Sequence, residues 1–199
     1  MKRRAWQSVP GSLAIKFLSA AVTAHAGEPL DLVKSAVERS IALLKDPQLK
    51  GEDSKKERVE RLKDIINPLF DYEEMARRTL AAHWRRRTPA EQEEFTKLFR
   101  AFLEKIYSDR VDLYEGERVV FGRETLDQEY AVVESKLISA KNEASPVIYR
   151  LKRTDGKWKV YDAVVLDVSI VNNYRSQFDR VISKSSFDEL KRMLREKAG

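Results

Sequence analysis

Residues 158–178, WKVYDAVVLDVSIVNNYRSQF, constrain the fold more than any other stretch of the chain. Trp158, Val160 and Asp162 alternate with Tyr161 and the flanking lysines, which is the period of a strand. Ala163 to Leu166 is then apolar on both faces. A strand of that kind must be covered on both sides. Within a few residues the period becomes helical, with Ile170, Val171, Tyr174 and Phe178 on one face. No Gly or Pro separates the two patterns, so the helix is expected to pack against the sheet it has just left. Whether this corner encloses only itself or a guest is the question it poses.

The rest of the chain supplies the other layers. Leu30, Val33, Val37, Ile41 and Leu44 trace one helical face, which Asp46-Pro47 ends. Ser54 with Glu57 reads as a capping box for a second helix, and Asp71 with Glu74 starts a shorter third. Thr88-Pro89-Ala90-Glu91 is the strongest start signal, with Pro at the first helical position. The helix it opens carries Phe95, Leu98, Phe99, Phe102, Leu103, Ile106 and Tyr107 on one face and is expected to reach about Tyr114. Strands are predicted at 119–121, 130–138 and 147–153, followed by a hairpin turn at Asp155-Gly156 into the Trp158 strand. The short loops make these strands antiparallel neighbours. Ser186 with Glu189 caps a last helix. The expectation is one α+β domain, a curved antiparallel sheet of about four strands packed between N-terminal and C-terminal helices.

Charge and composition narrow the chemistry. The net charge of +6 suggests an anionic partner, but four of the 38 basic residues, Lys2, Arg3, Arg4 and Lys16, lie in an acid-free leader. The remaining 34 face 32 acidic residues, so the body is close to neutral and no nucleic acid is expected as a partner. The leader itself has a basic start, an apolar run over 13–24 and an Ala24-His25-Ala26 cleavage pattern. It reads as a signal peptide over residues 1–26, cleaved after about Ala26, with 27–199 as the exported domain. With no cysteine in the chain, disulfides, thiol catalysis and Cys-ligated metals are excluded.

Three polar features compete for a functional role. His83 is the only histidine after residue 26, with no serine or carboxylate at a telling spacing, so it reads as structural. Arg77, Arg78 and Arg85 to Arg87 form a basic cluster that reads as a solvated or partner-docking face. Asp162 lies in the most apolar segment, either as a base in a pocket or as a carboxylate bonded to backbone N–H groups or an arginine at the strand end. The second reading is favoured because no second catalytic group is visible.

Two segments carry a family resemblance. One runs from Phe70-Asp71-Tyr72 through His83-Trp84 to Thr88-Pro89-Ala90-Glu91-Gln92, with Phe99, Tyr107 and Tyr114 beyond. The other is the corner itself, above all Tyr161-Asp162, Val168-Ser169 and 172–178. Order and spacing over residues 29–197 resemble the MlaC, or toluene-tolerance, family of periplasmic phospholipid carriers. The resemblance implies a sheet curved around helices with a deep apolar cavity for acyl chains. It implies phospholipid as cargo rather than a cofactor, no metal and no chemistry on the lipid. It also implies a monomer in the periplasm that moves lipid between an outer-membrane lipoprotein–porin complex and an inner-membrane Mla-type ABC transporter with a lipid-binding ring, supporting outer-membrane lipid asymmetry.

The residues that would line the cavity come from every layer. They are Phe70, Met75 and Leu80; Phe99, Phe102, Leu103, Ile106 and Tyr107; Val133, Leu137, Tyr149, Leu151, Val160 and Val164; and Val168, Val171, Tyr174 and Phe178. Periodicity alone assigns the same side chains to an ordinary core. A carrier needs such an enclosure because each CH₂ exposed to water costs about 0.8 kcal/mol, so a tail of roughly 15 costs about 12 kcal/mol. Two other readings stay open: a hopanoid or other lipid as cargo, and an enzyme of the cone-shaped α+β type with Asp162 as base and Tyr149 or Tyr161 as hydrogen-bond donor.

Overall fold

The computed structural model describes residues 28–199; the expected signal peptide lies outside the described residues. Six α-helices and five strands are present among these residues. The order is α1 (Glu28–Lys45), α2 (Lys55–Ile66), α3 (Tyr72–Leu80) and α4 (Pro89–Ser108). Strands β1 (Arg118–Asp127), β2 (Tyr130–Ile138), β3 (Ala144–Thr154), β4 (Lys157–Val165) and β5 (Val168–Ser169) follow. Helices α5 (Ile170–Lys184) and α6 (Phe187–Ala198) close the chain.

The sheet is an open antiparallel meander, β1-β2-β3-β4-β5. Its turns have the expected chemistry at Asp155-Gly156, where φ of +50° and +75° make a two-residue hairpin. Register shifts at 121/124 in β1 and at 160/162 in β4 bend the ladder.

The corner that opened the sequence argument contains a turn that its residue types do not signal. Leu166 and Asp167 take φ of +50° and +63°, a conformation usually left to Gly or Asn. The chain therefore reverses in two residues, and Val165 pairs with Val168 and Val164 with Ser169 to form a fifth, two-residue strand. α5 begins at once, with the Ser169 hydroxyl accepting from the Asn172 N–H as N-cap.

Two other expectations change. Ser54 precedes α2 with its own backbone already helical, φ −92° and ψ −2°, and makes no side-chain cap bond. α4 stops at Ser108, giving 20 residues and a length of about 30 Å. The chain then makes a short 3₁₀ turn at Val111–Leu113. There Asp112 is drawn to Lys55 at 2.6 Å and to the buried Arg58, which also donates to the Leu49 carbonyl. That ion-paired clamp to α2 competes with continuation of the helix. The Thr88–Glu91 capping box forms as read, and Asp71 and Ser186 accept from the N–H groups of Glu74 and Glu189.

The apolar residues make two layers that meet at β4. On one side, α3, α4, α5 and α6 bury Met75, Leu80, Phe95, Phe99, Phe102, Val171, Phe178 and Leu190 against one another. On the other, α1 lies on the sheet and buries Val33, Ala36, Ala131, Val133, Leu151, Trp158 and Val160.

Candidate functional site: an apolar cavity between α1 and the sheet

The C-terminal half of α1 leaves a cavity of about 550 Å³ against the ends of β1 and β2. That volume lies in the range of about 300–1,000 Å³ typical of small-molecule sites. Val37, Ile41 and Leu44 form one wall and Val119 and Leu137 another. Leu113 and Tyr114 come from the segment after α4. This segment is pinned by the Asp112 clamp to Lys55 and Arg58, and the Tyr114 hydroxyl donates to the Glu117 carbonyl at 3.0 Å. Arg110 and Glu117 are the charged members of the lining. The site is thus greasy inside, with few polar groups and one guanidinium.

Of the residues expected to line a cavity, Leu137 does so directly. Val133, Leu151 and Val160 are fully buried in the same α1–sheet layer, with Phe70 and Tyr149 packed against it. Burial pushes the Tyr149 phenol above its ordinary value, while a hydrogen bond with Ser135 opposes the shift.

The aromatic residues of α4 and α5 are placed elsewhere. Phe99 and Phe178 meet edge to face at 5.5 Å, Phe95 and Phe178 at 5.8 Å, and Phe102 and Tyr174 at 5.2 Å. Met75, Leu80 and Val171 share that cluster, with Leu103 and Ile106 at its border. The half-buried Tyr107 places its hydroxyl 3.4 Å from the Asn67 carboxamide oxygen. Val164 is buried, whereas Val168 is 54% exposed because the two-residue turn carries it to a hairpin tip beside Leu166.

Most of this cavity's lining lies outside the set of residues expected from the sequence. Val37, Ile41 and Leu44 were visible as a helical stripe, but nothing in that stripe separates its packed half from its hollow half. Arg110, Leu113 and Tyr114 were expected within the last turns of α4, beyond the apolar face from which the lining residues of that helix were drawn.

The polar candidates resolve plainly. Asp162 is 2% exposed. Its carboxylate accepts from the Ser169 hydroxyl at 2.7 Å, the Val171 N–H at 3.0 Å and Arg150 at 3.0 Å. The first two bonds tie β4 to β5 and to the start of α5, and the third ties it to β3; this is the strand-end support rather than a base facing a pocket. His83 sits in a 3₁₀ segment, 2.8 Å from Asp179 across to α5. Among the described residues no group of three or more His, Asp or Glu is placed to hold a metal ion.

The family model described as MlaC protein matches residues 34–196. A curated relative, the intermembrane phospholipid transport system binding protein MlaC of Haemophilus influenzae, is 22% identical over 134 residues, or 65% of this chain. The chain spans 63% of that relative's length. Among solved structures, a phospholipid-binding protein from Ralstonia solanacearum, in complex with a phospholipid, superposes with a TM-score of 0.75 at 25% identity. That match covers 86% of this chain and 97% of the other. With the family model spanning most of the domain and the α+β meander superposing on a relative, the chain belongs to the MlaC protein family.

Proposed function

We propose that this protein is a phospholipid carrier whose acyl chains enter the cavity between α1 and the sheet. The observation that carries this reading is that cavity, about 550 Å³ and walled by Val37, Ile41, Leu44, Val119 and Leu137. Family membership and the phospholipid bound in the Ralstonia solanacearum relative support it. An acyl chain placed there removes about 0.8 kcal/mol of exposure for each CH₂ it buries. Arg110 offers a guanidinium to a headgroup phosphate, the pairing its planar fork suits best. Val133, Tyr149, Leu151 and Val160 back the sheet wall. The rings of α4 and α5 act as the rigid base against which that wall is held.

In this reading the protein works in the periplasm after cleavage near Ala26. It exchanges lipid between an inner-membrane Mla-type transporter and an outer-membrane lipoprotein–porin complex, and no bond of the lipid is made or broken. The experiment is native mass spectrometry and lipid extraction on protein purified from an exporting host. Bound phospholipid is the expected result, with lipidomics distinguishing it from a hopanoid. Folded protein that carries no extractable lipid and takes up none from phospholipid vesicles sinks the proposal.

A further inference from the structure

The face of the sheet turned away from α1 carries a second surface, unrelated to the cavity. Cross-strand register aligns Asp127, Tyr130, Lys152 and Lys159 in one row, and Thr125, Val132, Arg150 and Asp162 in the next. Lys152 and Lys159 stand directly opposite each other, an arrangement of like charges that costs stability. The bulge at 160/162 leaves Tyr161 without a partner in the ladder. An extra residue of this kind re-aims side chains. Here it brings the Tyr161 ring edge to face with Tyr130 at 6.2 Å. Arg78 of α3 then lies over Tyr161 at 4.1 Å.

What holds these cations in place is carboxylate buried beneath them. Glu74 is 7% exposed and accepts from Arg77 at 2.6 and 2.8 Å and from Arg78 at 2.8 Å, with Lys152 at 3.7 Å. Asp162 holds Arg150 in the same way. The acids are inside, while Arg77 and Tyr130 are exposed and Arg78, Arg150, Lys152, Lys159 and Tyr161 are partly so. Solvent therefore meets five cations and two tyrosine rings, while the accessible acids of the sheet, Asp127, Glu129 and Glu134, lie toward β1 and the β1–β2 turn. Arginine and tyrosine fixed in position are the residues that dominate protein–protein contacts. A lipid surface would instead favour mobile lysines beside apolar side chains that insert.

We propose that this saddle between α3 and β2–β4 is a docking surface for an acidic segment of a partner protein. Its carboxylates would meet Arg77, Arg78, Lys152 and Lys159, and an apolar or aromatic side chain would rest on Tyr130 and Tyr161. The surface does not depend on what the cavity holds.

The test uses the exported domain and a fluorescein-labelled, glutamate-rich peptide with a central tyrosine, followed by fluorescence anisotropy. Its glutamine counterpart and phosphatidylglycerol vesicles serve as comparisons. The acidic peptide binds, the glutamine peptide does not, and added salt weakens binding. Reversing both lysines, Lys152→Glu with Lys159→Glu, lowers affinity about tenfold. The neutral pair Lys152→Gln with Lys159→Gln has an intermediate effect and remains folded, because relief of the opposed charges offsets the lost pairing of Lys152 with Glu74, which Arg77 and Arg78 still hold. Lipid retention stays at the wild-type level in both variants. Equal binding of the two peptides, unchanged affinity in the neutral variant, or binding to vesicles alone overturns the proposal. Loss of lipid in the variants overturns it too, since the patch would then belong to the cargo site.

Discussion

The two apolar layers on either side of β4 are made of similar residues and end differently. Between α3, α4, α5 and α6, rings close on rings, and Phe95 and Phe99 have no exposed surface. Between α1 and the sheet, the first half of the helix is equally well packed, with Val33 fully buried. Its second half stands over a void beside Leu137. The difference lies in the covering segments. Four helices converge on the first layer, whereas the far end of the second is covered only by the short turn that Arg58 and Asp112 hold in place. One layer can therefore serve as rigid support while the other keeps room for a guest.

Substitutions at the two layers should separate these roles, and Phe99 is the most severe. Phe99→Ala should cost about 3–5 kcal/mol in denaturant unfolding, since a fully buried ring leaves a hole that its neighbours cannot fill. The molecules that remain folded should carry lipid at the wild-type ratio. Lipid lost from folded protein would instead make the aromatic layer part of the cargo site.

Asp162→Asn comes next. The amide would face Arg150 or the Ser169 hydroxyl with the wrong polarity, so about 1–3 kcal/mol should be lost in equilibrium unfolding. Retained lipid exchange in this variant would confirm a supporting carboxylate. Unchanged stability would mean that the corner does not depend on it.

Glu74 supplies a pH-dependent version of the same comparison. Burial alone would raise its carboxyl, but hydrogen bonds from Arg77 and Arg78 outweigh it and hold the group below its ordinary 4.5. On acidification the unfolded chain therefore takes up the proton first. The contribution is complete above about pH 4.5 and is lost as pH falls through the lower value of the folded carboxyl. Thermal melts between neutral and acid pH should show Glu74→Gln with a shallower acid slope than wild type; parallel slopes would refute the assignment.

The smallest effect on stability should come from the cavity. Ile41→Trp adds bulk where there is already space, so unfolding free energy should change by less than about 1 kcal/mol. Extracted phospholipid should nevertheless fall well below one equivalent in proportion to the space filled. Full occupancy in this variant would move the cargo away from α1.

Much of the architecture was readable from local pattern. The capping signals at Thr88, Asp71 and Ser186 started helices where they were expected, and the Asp155-Gly156 turn set the β3–β4 hairpin. The misses have two causes. Leu166-Asp167 makes a tight reversal without the residues that signal one, α4 ends early through an ion pair with α2, and Ser54 leaves its cap unmade. Each outcome depends on groups far away in the chain or on a backbone conformation that residue type does not announce.

The sequence by itself determined the α+β order, the family, and the buried character of the strand and helix around Asp162. Periodicity, caps and turn residues act over a few positions, and their physics is local. Only the tertiary structure decided which apolar stripe is packed and which borders a void, because identical side chains satisfy both until their neighbours are in place. It also decided that the Glu74 and Asp162 carboxylates lie beneath a layer of exposed cations. That separation of charge across a face arises from the bulge, the cross-strand register and the docking of α3, and none of these is written in a charge count.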